Sequence, residues 1–271
     1  MLLVKKGDYV ERGDMIAAPD GYISSPVHAS AAGEVVDIGW WPHPDGSQAE
    51  AVRIKVDPFS PQTPRPRIVP EWDGLSRKDV VEAVRQAGVV GLGGAGFPTH
   101  VKLVPPEGVD VSLLIVNGAE CEPYLTSDHR VMVEYPERVH FGIRIMMQTL
   151  GVTRAVIGVE KNKPDAIEAL ERTIPEDLDI TVQPLRVKYP QGAEKMLIKA
   201  VMGREVPSGK LPMHVGAVVQ NVGTIACIAE IFETGLPLIE RVVTVTGPGI
   251  NKPQNLIVPV GAKIGDILAF C

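Results

Sequence analysis

Three apolar runs of strand length recur along the chain: VSLLIV (111–116), RAVIGV (154–159) and GAVVQNV (216–222). Each has the pattern of a strand buried on both faces. Between and after them the apolar positions shift to helical spacing, in 136–151, in 164–174 with a proline at its start, in 192–203 and in 224–235. Ahead of the first run, SRKDVVEAVRQA (76–87) sets Ser76 and Asp79 at capping-box spacing before Val80, Val81, Val84 and Ala87, with Gly88 as C-cap. Such alternation predicts an α/β fold: a mostly parallel sheet with helices laid over it.

Outside this region the pattern changes. Residues 1–57 are short alternating strands broken by glycine turns, and KGDYVERGDMI with SPVHASAAGEVVDI resembles the two halves of a lipoyl- or biotinyl-type barrel-sandwich domain. The stretch between the halves, Ala18 to Pro26, has no lysine to carry a swinging cofactor, so a docking or packing role is expected. Five prolines between Pro58 and Pro70 predict an extended linker over 58–75. The α/β unit is expected to fill 76–238. Over 239–271, RVVTVTGPGINKPQNLIVPVGAKIGDIL alternates like an antiparallel pair and ends on a helix onset, as in the start of a β-grasp (SLBB-like) module. Stopping at ILAFC leaves that module without its second half, so the chain reads as part of a longer protein.

Composition narrows the function. A net charge of −6 without a long basic run gives no electrostatic support for nucleic-acid binding. No window approaches 18 uninterrupted apolar residues and MLLVKKGDYV lacks a signal-peptide core, so a cytoplasmic chain with no direct membrane span is expected, reaching a membrane only through partners. Cys121, Cys227 and Cys271 stand singly and the six histidines show no ligand spacing. No metal site is expected from that arrangement.

Candidate chemistry gathers in four loops. GVVGLGGAGFPTHVKL (88–103) holds Gly91, Gly93, Gly94, Ala95 and Gly96, followed by Phe97 and Lys102. Gly91, Gly93 and Gly96 fit G-x-G-x-x-G, yet the loop leaves a helix, with only Val89 and Val90 available for a strand and Pro105-Pro106 limiting the next helix to about two turns. A dinucleotide-binding βαβ unit is therefore not expected at this loop. Without Cβ atoms the backbone can still turn through positive φ and bring N–H groups onto a phosphate or a flat ring, with Lys102 as a point charge. A tight turn between packed elements is the structural alternative. NGAECEP (117–123) follows a strand and offers Asn117, Glu120 and Glu122 as hydrogen-bonding groups for ribose, carboxamide or ring N–H. YPQGAEK (189–195) sets Tyr189, Gly192 and Glu194 at a strand-to-helix junction, and QNVGT (220–224) offers Gln220 and Asn221, with Thr224 as a helix cap. In open α/β sheets such loops share one crevice, here suited to a flat, polar-edged ring carrying a phosphate.

GVVGLGGAGFPTHVKL, NGAECEPYLTSDHRVM, YPQGAEKML and QNVGT resemble, in this order, the C subunits of Rnf electron-transport complexes, a family related to the flavin- and NADH-binding subunit of respiratory complex I. The resemblance spans nearly the whole chain. It implies FMN on the glycine loop, with Gly91, Gly93, Gly94, Ala95, Gly96 and Lys102 at its phosphate and Asn117, Glu120 and Glu122 beside the isoalloxazine. It assigns the remaining contacts to Tyr189, Gly192, Glu194, Gln220, Asn221 and Thr224, and sets Phe97 and Glu194 to meet NAD(H). The implied activity is hydride transfer from NADH to FMN within an ion-translocating oxidoreductase, with no catalytic acid or base on the protein. Further implications are iron–sulfur clusters in a region absent from this chain, other Rnf subunits as partners, and a peripheral position on the inner face of the cell membrane. Two departures stand out: Ala193-Glu194 replaces two consecutive glutamates, and Leu92 replaces an arginine, of the complex I relatives. A cobalamin reductase, whose glycine loop is similar, and an assembly subunit with a vestigial site are the alternatives.

Overall fold

In the computed structural model, which describes residues 1–43, 45–66, 72 and 74–271, the N-terminal segment forms two small antiparallel sheets. One joins β1 (Tyr9–Val10), β4 (Gly33–Pro42) and β5 (Gln48–Val56) in the order β1-β4-β5; the other pairs β2 (Met15–Ala17) with β3 (Val27–His28). Val10, Ile16, Ala29 and Val35 fill the space between them, the layered arrangement expected of a barrel sandwich. Part of the expected linker, residues 67–71 and 73, lies outside the described residues.

Helix α1 (Arg77–Gln86) begins on the foreseen capping box, with Ser76 accepting from the Asp79 backbone N–H and Asp79 reaching back to Ser76. It ends at Ala87, and Gly88 takes positive φ one residue later. The loop it releases runs into α2 (Thr99–Lys102), a single turn rather than the two allowed by the prolines.

The central sheet then builds in order. β6 (Leu113–Gly118) leads through α3 (Ser127–Glu134) and α4 (Pro136–Leu150) to β7 (Arg154–Glu160); α5 (Pro164–Arg172) leads to β8 (Asp179–Leu185); α6 (Glu194–Met202) and a 3₁₀ turn at Pro212–Val215 lead to β9 (Ala217–Asn221) and α7 (Val222–Thr234). All four strands are parallel, in the order β8-β7-β6-β9. The period of two sends Leu114 and Val116 into the main core beneath α1, α4 and α7, and Ile115 into a second cluster with Leu197 and Ile198 of α6. The direction of winding reverses between β6 and β9, so the sheet has its topological switch point between the ends of these two strands.

β10 (Glu240–Val245) and β11 (Gln254–Pro259) form the expected antiparallel pair, followed by α8 (Ile264–Phe270). Thr126 bonds to Thr244 and Asn255, which fastens this hairpin to the start of α3.

Candidate functional site

The glycine loop closes at its neck. Val90 bridges Pro98, Gly91 N–H donates to Phe97 O at 2.8 Å and Thr99 N–H to Val89 O at 3.0 Å, so residues between stand out as a unit. Gly94 and Gly96 adopt φ of +122° and +61°, and a Cβ on either would meet nothing within 4 Å. That positive φ explains the glycines, and the space beyond them is open. The base of the loop rests on the switch point: Leu92 N–H donates to Thr224 Oγ1 at 2.9 Å, and a Cβ on Gly93 would lie 3.1 Å from Asn221 Cβ.

Asn221, rather than the expected Thr224, is the N-cap of α7; its Oδ1 accepts from Thr224 N–H at 3.1 Å. The Thr224 hydroxyl donates to Asn221 Oδ1 at 3.4 Å and accepts from the glycine loop. Asn221 Nδ2 donates to Asp128 Oδ2 at 2.5 Å. Next to it Gln220 is 3% exposed, and its Nε2 has no hydrogen-bond partner among the described residues.

At the end of β6, Asn117 Nδ2 donates to Gly192 O at 2.8 Å. The two backbone segments press together here, since a Cβ at 192 would lie 2.6 Å from Ala119 O. Lys102 Nζ donates to Glu194 Oε1 at 2.9 Å and to Val219 O at 3.2 Å, joining α2 to the start of α6 and to β9. All four sequence motifs thus meet around the carboxyl ends of β6 and β9.

Not every candidate side chain turns toward this crevice. The Glu120 carboxylate is buried and accepts from Ser127 Oγ and from the backbone N–H groups of Asp128 and His129, where it compensates the N-terminus of α3. Glu122, Tyr189 and the loop segment with Ala95 and Phe97 are exposed at the rim. Three residues that sequence reading missed support the site from behind. Arg241 of β10 donates to Leu92 O at 3.1 Å. Lys163, itself buried, pairs with buried Glu160 at 3.1 Å and donates to Glu120 O at 3.2 Å. Asp128 is pushed up to about 7 by burial, with the nearby Glu120 charge acting in the same direction and the Asn221 bond against it. Asp128 lies within NGAECEPYLTSDHRVM, so the motif itself carried the signal.

Residues 84–230 match the family described as the Nuo51 FMN-binding domain, and residues 1–58 match the RnfC barrel sandwich hybrid domain. Over 269 residues the chain is 47% identical to the C subunit of the proton-translocating ferredoxin:NAD(+) oxidoreductase complex of Clostridium ljungdahlii, covering 99% of this chain and 59% of that protein. It is 45% identical to the C subunit of the Na(+)-translocating ferredoxin:NAD(+) oxidoreductase complex of Acetobacterium woodii, with 99% and 61% covered. For the C subunit of the ion-translocating oxidoreductase complex of Rhodobacter capsulatus the identity is 40%, with 99% and 52% covered. The chain therefore spans roughly half to three-fifths of the length of these relatives. Among solved structures, a chain of the NAD+-reducing [NiFe]-hydrogenase in the air-oxidized state superposes with a TM-score of 0.61 at 24% identity, covering 72% of this chain and 38% of that one, a likeness of fold.

Proposed function

Because the chain belongs to the Nuo51 FMN-binding domain family, with an RnfC barrel sandwich hybrid domain ahead of it, we propose that it is the FMN- and NADH-binding portion of an Rnf-type C subunit. The observation that carries this reading is the open glycine face at Gly94 and Gly96, seated on Asn221 and Thr224 at the switch point of a parallel sheet. The donor set fits FMN. The exposed loop segment of Gly93, Gly94, Ala95 and Gly96, with Gly91 closing its neck and the Lys102 ammonium, suits a phosphate, and buried Gln220 Nε2, without a hydrogen-bond partner among the described residues, is a donor waiting for an acceptor.

When bound, FMN supplies a two-electron hydride acceptor that can release electrons singly. The chain's own work is to hold and orient. Asn117, Glu120 and Glu122 line the ring side, Glu120 through its loop backbone, since its carboxylate is committed to α3. Tyr189, Gly192, Glu194, Gln220, Asn221 and Thr224 complete the cradle, and exposed Phe97 with Glu194 meets the nicotinamide nucleotide. The Lys102–Glu194 pair fixes that carboxylate at the mouth. No side chain is needed as a catalytic acid or base.

The same reading divides the chain into a barrel sandwich at 1–57, a linker at 58–75, the cofactor unit at 76–238 and a partial β-grasp module at 239–271. It places onward electron transfer in iron–sulfur clusters of the remaining chain. Its partners are the other Rnf subunits at the cytoplasmic face of the membrane; among the described residues no helix is long and apolar enough to cross one. The barrel-sandwich match supports this reading over a cobalamin reductase.

Titration of the chain with FMN tests it. Fluorescence quenching should saturate at one FMN per chain, and anaerobic NADH should then bleach the visible flavin band. Gly94→Val should abolish binding with far-UV circular dichroism unchanged, because φ near +122° is closed to a β-branched residue and the side chain would fill the open face. Equal FMN affinity in parent and Gly94→Val would return the loop to a packing turn.

A further inference from the structure

Behind the glycine loop, the Leu92 peptide is gripped at both ends. Its N–H donates to Thr224 Oγ1 at 2.9 Å and its C=O accepts from Arg241 at 3.1 Å. Thr224 is in turn bound to Asn221, and Asn221 to Asp128, so two relays converge on one peptide. A Cβ on Gly93 would sit 3.1 Å from Asn221 Cβ, and one on Gly223 would sit 3.1 Å from Asp128 Oδ1, so the relay through Asn221 and Asp128 is closely packed. We propose that Asp128 and Arg241 are positioning residues that hold the glycine loop in its cofactor-binding shape, and that ionised Asp128 is the form that does so. This rests on the reading of the loop as the FMN site.

The charges around Asp128 single out Arg241. From α4, Arg138 is committed to Glu230 and Glu233 of α7; from β10, Glu240 pairs with Arg12 of the N-terminal unit. On its own helix, His129 pairs with Asp165 of α5. In the loop before α3, Glu120 is bonded to that helix and Glu122 is exposed, and both repel a charge at 128. Arg241 bonds a neutral backbone carbonyl, and its attraction favours the ionised carboxyl. Burial moves the change of charge into the neutral range. On protonation the bond from Asn221 loses its charge assistance and Arg241 loses its counter-charge. The loop is thus held tightly above neutrality and loosely below it.

Flavin affinity and amide exchange, measured on the whole chain at pH 6 and pH 8, test the proposal. Riboflavin run beside FMN removes the contribution of the phosphate's own titration. The parent should bind both ligands more tightly at pH 8. Asp128→Asn, nearly isosteric, should bind about tenfold more weakly than the parent at pH 8, the loss expected for one charge-assisted hydrogen bond, and should bind riboflavin equally at both pH values. In ligand-free protein the Leu92 amide, corrected for intrinsic exchange, should be better protected at pH 8 than at pH 6 in the parent and alike at both in Asp128→Asn. Arg241→Ala should expose the same amide at both pH values and Arg241→Lys should restore part of its protection. Parental binding with an indifferent Asp128→Asn, in affinity and in Leu92 protection, overturns the positioning role alone. Failure of the parent to bind FMN at pH 8 removes the cofactor reading together with the role built on it.

Discussion

At the scale of single residues, the clearest energetic statement concerns the same carboxyl, seen now through stability. Asp128 has an ordinary value of 3.8 and is pushed to about 7 in the fold. Between those values the folded protein keeps a proton that the unfolded chain has released, so its stability falls as pH rises from 3.8 to about 7, then levels off. Asp128→Asn removes this penalty. Its Tm should exceed the parent's by several degrees at pH 8, with the gap closing by pH 4; a gap that persists at pH 4 would assign the effect to packing instead. Residue types at the site are legible in the sequence: glycines in a cluster, and Asn117, Gln220 and Asn221 at strand ends. Orientation is not. Nothing local distinguishes Glu120, whose carboxylate turns back to α3, from Glu122, which stays exposed. Nor does the sequence show that Asn221 will meet Asp128, 93 residues away.

At the scale of elements, α4 and α7 cross at a glycine. A Cβ at Gly142 would lie 2.2 Å from Ile225 O, a backbone atom that cannot swing aside. Gly142→Ala should force the helices apart and lower stability by about 1–3 kcal/mol, the cost of overpacking a filled core, measured by urea denaturation. Because α7 carries Asn221 and Thr224 at its first turn, flavin affinity should fall with it. The buried strands β6, β7 and β9 are visible as apolar runs because both faces are covered. β8 escapes sequence reading for a physical reason. At the edge opposite β9, it alternates exposed and buried positions and contains Pro184, so it lacks the apolar continuity of the other strands. α3 escapes it because it is only eight residues long and stops one residue before α4 begins.

Over the whole molecule, the flanking units reach the cofactor unit from both sides. The tip of the N-terminal unit, a unit expected to serve in docking or packing, places Tyr22 edge-on to His100 at 5.6 Å between ring centroids, and His100 Nε2 lies 3.0 Å from Tyr22 O. His100 is buried and its Nδ1 has no hydrogen-bond partner among the described residues, so a second proton there would be stranded; burial holds the imidazole below its ordinary 6.5. The contact therefore contributes fully above 6.5 and weakens as pH falls below it, because the unfolded chain takes up the proton first. Limited proteolysis should cut 18–26 faster at pH 5.5 than at pH 7.5, and His100→Gln should remove most of that difference. Cleavage that is equally slow at both pH values would show that the tip is held by other contacts.

The bond from Arg241 to Leu92 also sets a schedule for synthesis. Its two ends are 149 residues apart, and the loop needs the later end to be clamped. A ribosome adds residues at about 5–20 per second, so the glycine loop waits roughly 7–30 s after its own translation before its last restraint emerges. The growing chain exposes its glycine loop before its last restraint is made. On the proposed reading, cofactor capture follows the emergence of β10, and a chain cut short before β10 keeps the Thr224 bond to Leu92 but lacks the one from Arg241.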